Sequence, residues 1–288
     1  GKNYVERTVI MAIRHKIAIY AIHTNLDNVR KGVNMKIAEK IGLEKLSILA
    51  PKSGGLRKLV TFVPLPQKDA VTEALWNAGA GTIGNYDQCS FQIKGTGTFR
   101  PNEAANPAIG NAMEYEQVTE VRLEVLIPAE HERAILLALK ESHPYEEVAY
   151  YLSTLENENQ DVGAGMIGEL PKIMEPGPFL DMLKKRMELN IIRHTKPTGK
   201  YVKKIAVCGG SGSFLLKQAK RMNADVFITA DMKYHEFFDA ENQLIIADIG
   251  HYESEVFTKE LIYDILSKKF TKFALQLSKI VTNPISYL

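Results

Sequence analysis

Cysteine is nearly missing from this chain. Only Cys89 and Cys208 occur in 288 residues, far apart and in no CxxC or zinc-ribbon spacing. That excludes a disulfide scaffold and a thiolate metal cluster, and it suits a reducing compartment such as the cytoplasm. Long apolar runs are missing too, and the opening "GKNYVERTVI" carries charge where a signal peptide needs an apolar stretch. Neither a membrane span nor export is expected. An excess of one charge is also missing: 36 Lys plus Arg stand against 34 Asp plus Glu, a net charge of +2. The strong positive field that backbone-driven nucleic-acid binding requires is therefore not supplied. No short solenoid repeat is visible. What remains, 45% apolar and 24% charged residues, fits a soluble globular protein with room for two modest cores.

Periodicity places an amphipathic helix at Tyr4 to Arg14, then a short apolar strand at Ile17 to Ile22 with no strand ahead of it. The polar stretch "HTNLDNV" follows, then a helix from Gly32 to Ile41 stopped by Gly42. The rhythm changes in the middle of the chain. "KLVTFVPL", "KDAVTEALWNAG", "CSFQIKGTG", "EYEQVTEVRLEVLIP", "EHERAILLALKESHP" and "EEVAYYLSTL" read as strand, helix, strand, strand, helix, strand. That is the order of a split βαβ, ferredoxin-like α+β domain, placed at residues 58–155. Beyond it, "DVGAGMIGELPKIMEPGPF" reads as a glycine-rich strand with a proline-marked link to the helix "FLDMLKKRMEL". The stretch from "KYVKKIAVCGG" onward alternates strand and helix, which predicts a mainly parallel α/β sheet. Residues 1–57 and 156–288 share this style, so the expected architecture is a discontinuous α/β host with a second domain inserted in a surface loop.

Candidate chemistry gathers where strands end, which is where open α/β sheets place ligands. In "ADIGHYESEV", His251 and Glu255 stand four apart at the start of a helix, so imidazole and carboxylate share one face and can meet one ion. A solvated helix face explains the same spacing. His23 and Asp27 in "HTNLDN" form a second pair, although Asp27 or Asn28 also suits a helix N-cap. Mixed nitrogen and carboxylate donors suit zinc, iron(II), manganese or a two-metal hydrolytic site. "CGGSGS" offers Gly210, Ser211 and Gly212 as an anion-binding turn, against a tight turn capped by Ser211 or Ser213; it lacks the spacing of a P-loop or a dinucleotide fingerprint. Asp231 and His235 in "ADMKYHE" repeat the four-residue spacing, with a helix-start role for Asp231 as the alternative.

Together "AIYAIHTNLDNV", "GNYDQCSF", "GTGTFRP", "HPYEEVAY", "CGGSGS", "ADMKYHE", "GHYESE" and "TNPISYL" resemble the GTP cyclohydrolase 1 type 2 homologue, or NIF-three-like, family. The likeness is to its longer bacterial branch, with an inserted PII-like or CutA-like domain. It implies an α/β metal-binding host, two divalent metal ions per chain, and a toroidal homohexamer. Carried over residue by residue, it implies Asp27, His251 and Glu255 as metal ligands and His23 as a neighbouring proton-handling group. The family's His-His-Pro motif has no counterpart: His15, His131, His143, His194 and His235 each stand alone. The host is therefore expected to be N-terminally incomplete, with at most one ion fully held. The implied function is metal-assisted hydrolysis of a nucleotide or related small molecule; the alternative is a metal-dependent scaffold without turnover, with "GNYDQCSF" and "FRPNEAANPAIGN" as interface or gate elements.

Overall fold

Ten strands and nine α-helices follow from the local patterns, and a computed structural model describes them over residues 1–159 and 161–288. The strands are β1 (Glu44–Lys52), β2 (Leu56–Pro64), β3 (Phe91–Phe99), β4 (Glu116–Pro128), β5 (Tyr150–Thr154), β6 (Asn159–Met174), β7 (Arg193–His194), β8 (Val202–Ser211), β9 (Val226–Ala230) and β10 (Ile245–Asp248). The helices are α1 (Tyr4–Arg14), α2 (Thr24–Asp27), α3 (Val33–Ile41), α4 (Lys68–Asn77), α5 (Glu132–Ser142), α6 (Pro176–Arg186), α7 (Leu216–Arg221), α8 (His251–Glu255) and α9 (Thr258–Lys269). They form two compact units, Gly1–Ala50 with Gly163–Leu288, and Pro51–Val162. The second unit reaches beyond the expected 58–155 at both ends, because backbone pairing of β2 starts at Leu56, ahead of its apolar run.

The first unit is built on a six-stranded sheet in the order β1-β6-β8-β9-β10-β7. β8, β9 and β10 run parallel, whereas β6 pairs antiparallel with β8 and β7 antiparallel with β10. The strands of the stretch that predicted a parallel sheet, β8 to β10, are parallel, while β6 and β7 on either side make the whole sheet mixed. Parallel direction is imposed by a crossover between sheet neighbours, but α6 leads from β6 to the two-residue β7 at the opposite edge, so no crossover links β6 to β8. Every residue of β9 and β10 is buried, as expected for strands covered on both faces. Alternate residues feed two cores. Val207, Ile228 and Ala247 join Ile37, Ile41 and Phe179 on one face, while Ala206, Phe227 and Ile246 join Leu215, Leu216 and Ala219 on the other. Among the described residues no helix is long and apolar enough to cross a membrane.

The helix expected at the start forms with the bounds read from the sequence, and the Asn3 side chain caps it by accepting from the Glu6 N–H. α3 likewise ends on Gly42, whose φ of 77° is the left-handed C-terminal stop that glycine supplies without strain. The expected strand at Ile17–Ile22 does not form. Residues 17–22 pair with no strand among the described residues, and Ile17, Ile19 and Tyr20 are exposed. An apolar run becomes a strand only where a neighbouring backbone takes its hydrogen bonds.

In the second unit β2–α4–β3–β4–α5–β5 folds into a four-stranded antiparallel sheet, order β3-β4-β2-β5, the ferredoxin-like arrangement read from the sequence. Odd-numbered Leu123, Val125 and Ile127 of β4 pack with Leu59, Val63, Val71, Leu75, Ile135 and Leu139, and Val121 is buried as well. Even-numbered Glu120 and Arg122 face the other side of the sheet. At the end of α5 the buried His143 donates from Nε2 to the Phe62 carbonyl (2.9 Å) and accepts at Nδ1 from the Tyr145 N–H (3.1 Å). Both ring nitrogens are thereby committed to the neutral tautomer. Burial lowers the His143 pKa below its ordinary 6.5, against the opposing pull of the Phe62 carbonyl and of Glu120.

Leu123→Ala, which empties a fully buried site, should cost about 2–5 kcal/mol, read as a lower denaturant midpoint. The unfolded imidazole binds protons at about 6.5, where the folded one resists them. The stability that His143 contributes is therefore complete above that pH and is lost as pH falls toward the depressed folded value. Urea midpoints should drop across that window, and the drop should be shallower in His143→Gln.

Candidate metal centre

β10 ends at Asp248, and its carboxylate organises the loops on either side. Asp248 is buried and accepts three hydrogen bonds at one end of the parallel strands. Oδ2 takes the Met232 N–H (3.0 Å) and the Arg193 guanidinium (2.5 Å), and Oδ1 takes the Gly250 N–H (3.1 Å). Met232 follows Asp231, and Gly250 precedes His251. Asp248 thus fixes the backbones from which those two side chains project. Asp231 has a φ of 56°, a left-handed conformation that Asp tolerates better than most residues. Gly250 turns the chain into α8 with a φ of 89°.

The result is a hydrogen bond of 2.6 Å between His251 Nδ1 and Asp231 Oδ2. On the other edge of the ring, Nε2 lies 3.4 Å from Glu255 Oε2, the partner one helical turn on. α8 is seated against β8 by Ser254, whose Oγ accepts from the Gly210 N–H and donates to the His251 carbonyl, each at 2.8 Å. Gly210, at a φ of 63°, has no room for a side chain: a Cβ there would stand 2.5 Å from Glu255 Oε1. Asn34 reaches in from α3, accepting from the Gly209 N–H (2.9 Å) and donating to the Asp27 carbonyl (3.0 Å). It thereby ties the segment that carries Asp27 to the strand that backs the site.

Asp27 lies within electrostatic reach of His23 and His251, and Glu255 within reach of Asp27, Asp231 and both imidazoles. Burial raises the pKa of Asp27, with His23 and His251 pulling it back down. Burial also raises Glu255; His251 opposes the rise and Asp27 adds to it. His251 is raised chiefly by its bond to Asp231, with burial opposing and Glu255 adding. The buried Cys208 thiol is pushed up to about 12 by burial and then by Asp27 and Glu255, so it stays protonated and is no nucleophile. Three carboxylates and two imidazoles thus lie within electrostatic reach of one another, acidic groups outnumbering basic ones.

These residues fit a divalent cation in two respects. The donors are of the nitrogen and oxygen types such ions take, and 3.4 Å between His251 and Glu255 is roughly the edge of a tetrahedron with ligands about 2.1 Å from its centre. The imidazole is also oriented, since its Nδ1 is held by a carboxylate in the manner of metal-ligating histidines. Among the described residues no three or more His, Cys, Asp or Glu side chains stand together closely enough to hold a metal ion.

Several expected roles are redrawn. Gly209 and Gly210 belong to strand β8, and their N–H groups are donated to Asn34 and Ser254, so these amides do not turn outward to an anion. The residue before the following turn is Gly212, with no side-chain cap from Ser211 or Ser213. Gly32 occupies the N-cap of α3, which removes the capping role for Asp27 and Asn28. Asp231 orients His251 and starts no helix, while the His235 ring lies edge-on to Tyr234 at 5.3 Å. His23 precedes α2 and shares a 3.0 Å contact between Nδ1 and the Thr24 hydroxyl. The tail "TNPISYL" reaches α8, where Asn283 donates to Glu253 (2.9 Å). Sequence reasoning passed over Asn34, Asp248 and Ser254. Asp248 directly after "LIIA" was a readable signal, as a carboxylate closing a buried strand; Asn34 and Ser254 carried none.

Ionisable groups gathered at the ends of parallel strands place the chain among open α/β proteins that work at that edge of the sheet. The family model for Duf34/NIF3 (NGG1p interacting factor 3) matches residues 1–284, and the chain belongs to that family. It is 39% identical over 287 residues to a Halalkalibacterium halodurans protein named GTP cyclohydrolase 1 type 2 homolog, covering 98% of this chain and 77% of the relative. A Bacillus subtilis protein of the same name is 38% identical with the same coverage. The crystal structure of a Bacillus cereus protein related to NIF3 superposes with a TM-score of 0.82 at 37% identity, covering 98% of this chain and 77% of that one.

Asp248→Ala removes the acceptor for two backbone N–H groups and a guanidinium. It should cost about 3 kcal/mol in denaturant unfolding. Asn34→Ala, which leaves the Gly209 N–H without its acceptor, should cost about 1–3 kcal/mol in the same assay.

Proposed function

We propose that this chain binds a divalent metal ion through His251, Glu255 and Asp27, and that it hydrolyses a nucleotide or related small molecule there. The observation that carries this reading is the two-sided hold on His251: Asp231 on Nδ1 at 2.6 Å and Glu255 beside Nε2 at 3.4 Å. With Nδ1–H donated to Asp231, the neutral ring presents the Nε2 lone pair on the side of Glu255, which is what a ligand to zinc, iron(II) or manganese must do. A bound ion would supply Lewis acidity. His23, exposed and within electrostatic reach of Asp27, would carry a proton between substrate and solvent.

The substrate class is supported by a cleft of about 570 Å³ in the same unit, lined by Arg193, His194, Lys196, Tyr234, Phe237 and Phe238. Lys196, with the part of the Arg193 guanidinium not held by Asp248, beside the exposed rings of Tyr234 and Phe238 suits an anionic group attached to a flat ring. The chain runs from Asp231, the partner of His251, directly to Tyr234 in the wall of this cleft. A second reading, a homo-oligomeric scaffold without turnover, is favoured by one observation: Tyr4, Val5, Met11 and Ile13 leave an apolar side of α1 exposed.

Purified chain should carry a divalent ion by elemental analysis, lose it in Glu255→Ala and Asp27→Ala, and lose nucleotide hydrolysis on chelation. Metal-free protein after reconstitution with zinc, iron(II) and manganese would overturn the metal assignment. A metal-loaded oligomer that turns over no nucleotide would leave the scaffold.

A further inference from the structure

The unit Pro51–Val162 contains a cleft of about 660 Å³ on the sheet face opposite its helices, within the volume range of small-molecule sites. Two stretches that stood out in the sequence build it, the loop "FRPNEAANPAIG" and the turn "HPYEE". They are joined by the Asn106 N–H donating to Glu146 Oε1 at 2.9 Å.

The inner surface of this cleft carries a buried carboxylate. Glu120 is only 7% exposed, and its Oε1 accepts from the Tyr145 hydroxyl at 2.9 Å. Its Oε2 lies over Gly97, where any Cβ would overlap it, so the glycine of "GTGTF" makes the room this carboxylate occupies. One lining guanidinium, Arg122, is turned to Glu124 at 2.8 Å. Tyr145 remains a proton donor, because burial and the hydrogen bond to Glu120 raise its pKa well above the usual phenol range. Aromatic rings line the same cleft in two edge-to-face pairs, Phe99 with Tyr145 and Phe62 with Tyr151, each at 5.8 Å.

A buried carboxylate with one phenol partner leaves a negative charge poorly compensated. Aromatic faces attract cations through their quadrupoles. Both features select the same ligand. We propose that this cleft binds an organic ammonium ion, its charged nitrogen seated on Glu120 and its apolar part against Phe99 and Tyr145. Glu146 and Glu147 add negative charge to the lining, against Arg100 and the already paired Arg122. The site lies wholly within the second unit and is independent of the metal assignment.

Calorimetric titration of the full chain with 2-phenylethylammonium, neutral 2-phenylethanol and anionic 3-phenylpropionate tests this. The ammonium is expected to bind at least about tenfold more tightly than the alcohol, some 1.4 kcal/mol. Glu120→Gln, which keeps an acceptor for Tyr145 but removes the charge, should abolish that margin without shifting the urea midpoint of the unit. Should Glu120→Gln fail to fold, Phe99→Leu must weaken the ammonium more than the alcohol. Equal binding of ammonium and alcohol, preference for the carboxylate, or no ammonium binding up to about 10 mM would each overturn the proposal. So would a Glu120→Gln protein, or failing that a Phe99→Leu protein, that retains the preference.

Discussion

The candidate centre depends on one carboxylate that takes no part in its chemistry. Asp248 ends the last parallel strand and binds the backbone N–H groups of Met232 and Gly250 together with the Arg193 guanidinium. Those contacts place Asp231 and His251 on facing loops with their side chains in hydrogen-bond contact. Each loop alone has other conformations open to it. A buried acceptor with three donors leaves one arrangement in which no polar group is stranded. Arg193 also draws β7 onto the edge of the sheet, in register with Asp248, so a single anion couples the closing strand to the site.

Electrostatics give the centre its character. Burial raises both Asp27 and Glu255, and the charges that act on them are imidazoles and other carboxylates. The charges that pull their pKa values down are imidazoles, His23 and His251. Such a set is costly to hold ionised without a cation, and the protonated Cys208 beneath it adds no thiolate. Hydrogen bonding to Asp231 and the negative surroundings likewise favour a charged His251 over a neutral one. A cation would reverse that preference, since a metal ligand must present a free lone pair.

The second unit shows how a two-residue period separates packing from recognition. Along β4 Leu123, Val125 and Ile127 enter the core with residues of α4 and α5, and the even positions reach the opposite face, where Glu120 accepts from Tyr145. Stability resides on one face, and the other is free to carry charge. The Glu120 side chain meets Tyr145 from the turn after α5 and lies over Gly97 of β3.

Much of the fold was legible from the residues alone. Apolar periodicity located α1, α3, α4 and α5, and alternation with turn signals ordered the ferredoxin-like unit, because those signals are local. The spacing of His251 and Glu255 put them on one helical face, and Asp27 stood in a recognisable polar loop after an apolar stretch. The direction of β6 was hidden, since its sheet neighbour is distant in sequence, and Ile17–Ile22 read as a strand because periodicity cannot reveal whether a partner backbone is there. The roles of Asn34, Ser254 and Asp248 were invisible for a related reason: each is defined by a hydrogen bond to a residue on another element. Sequence by itself determined most of the helices and strands and which imidazole and carboxylate side chains stand at the strand ends. Tertiary structure alone decided which glycine amides are committed, which carboxylate orients His251 and where burial leaves charge unbalanced, because those depend on groups far apart in the chain meeting away from water.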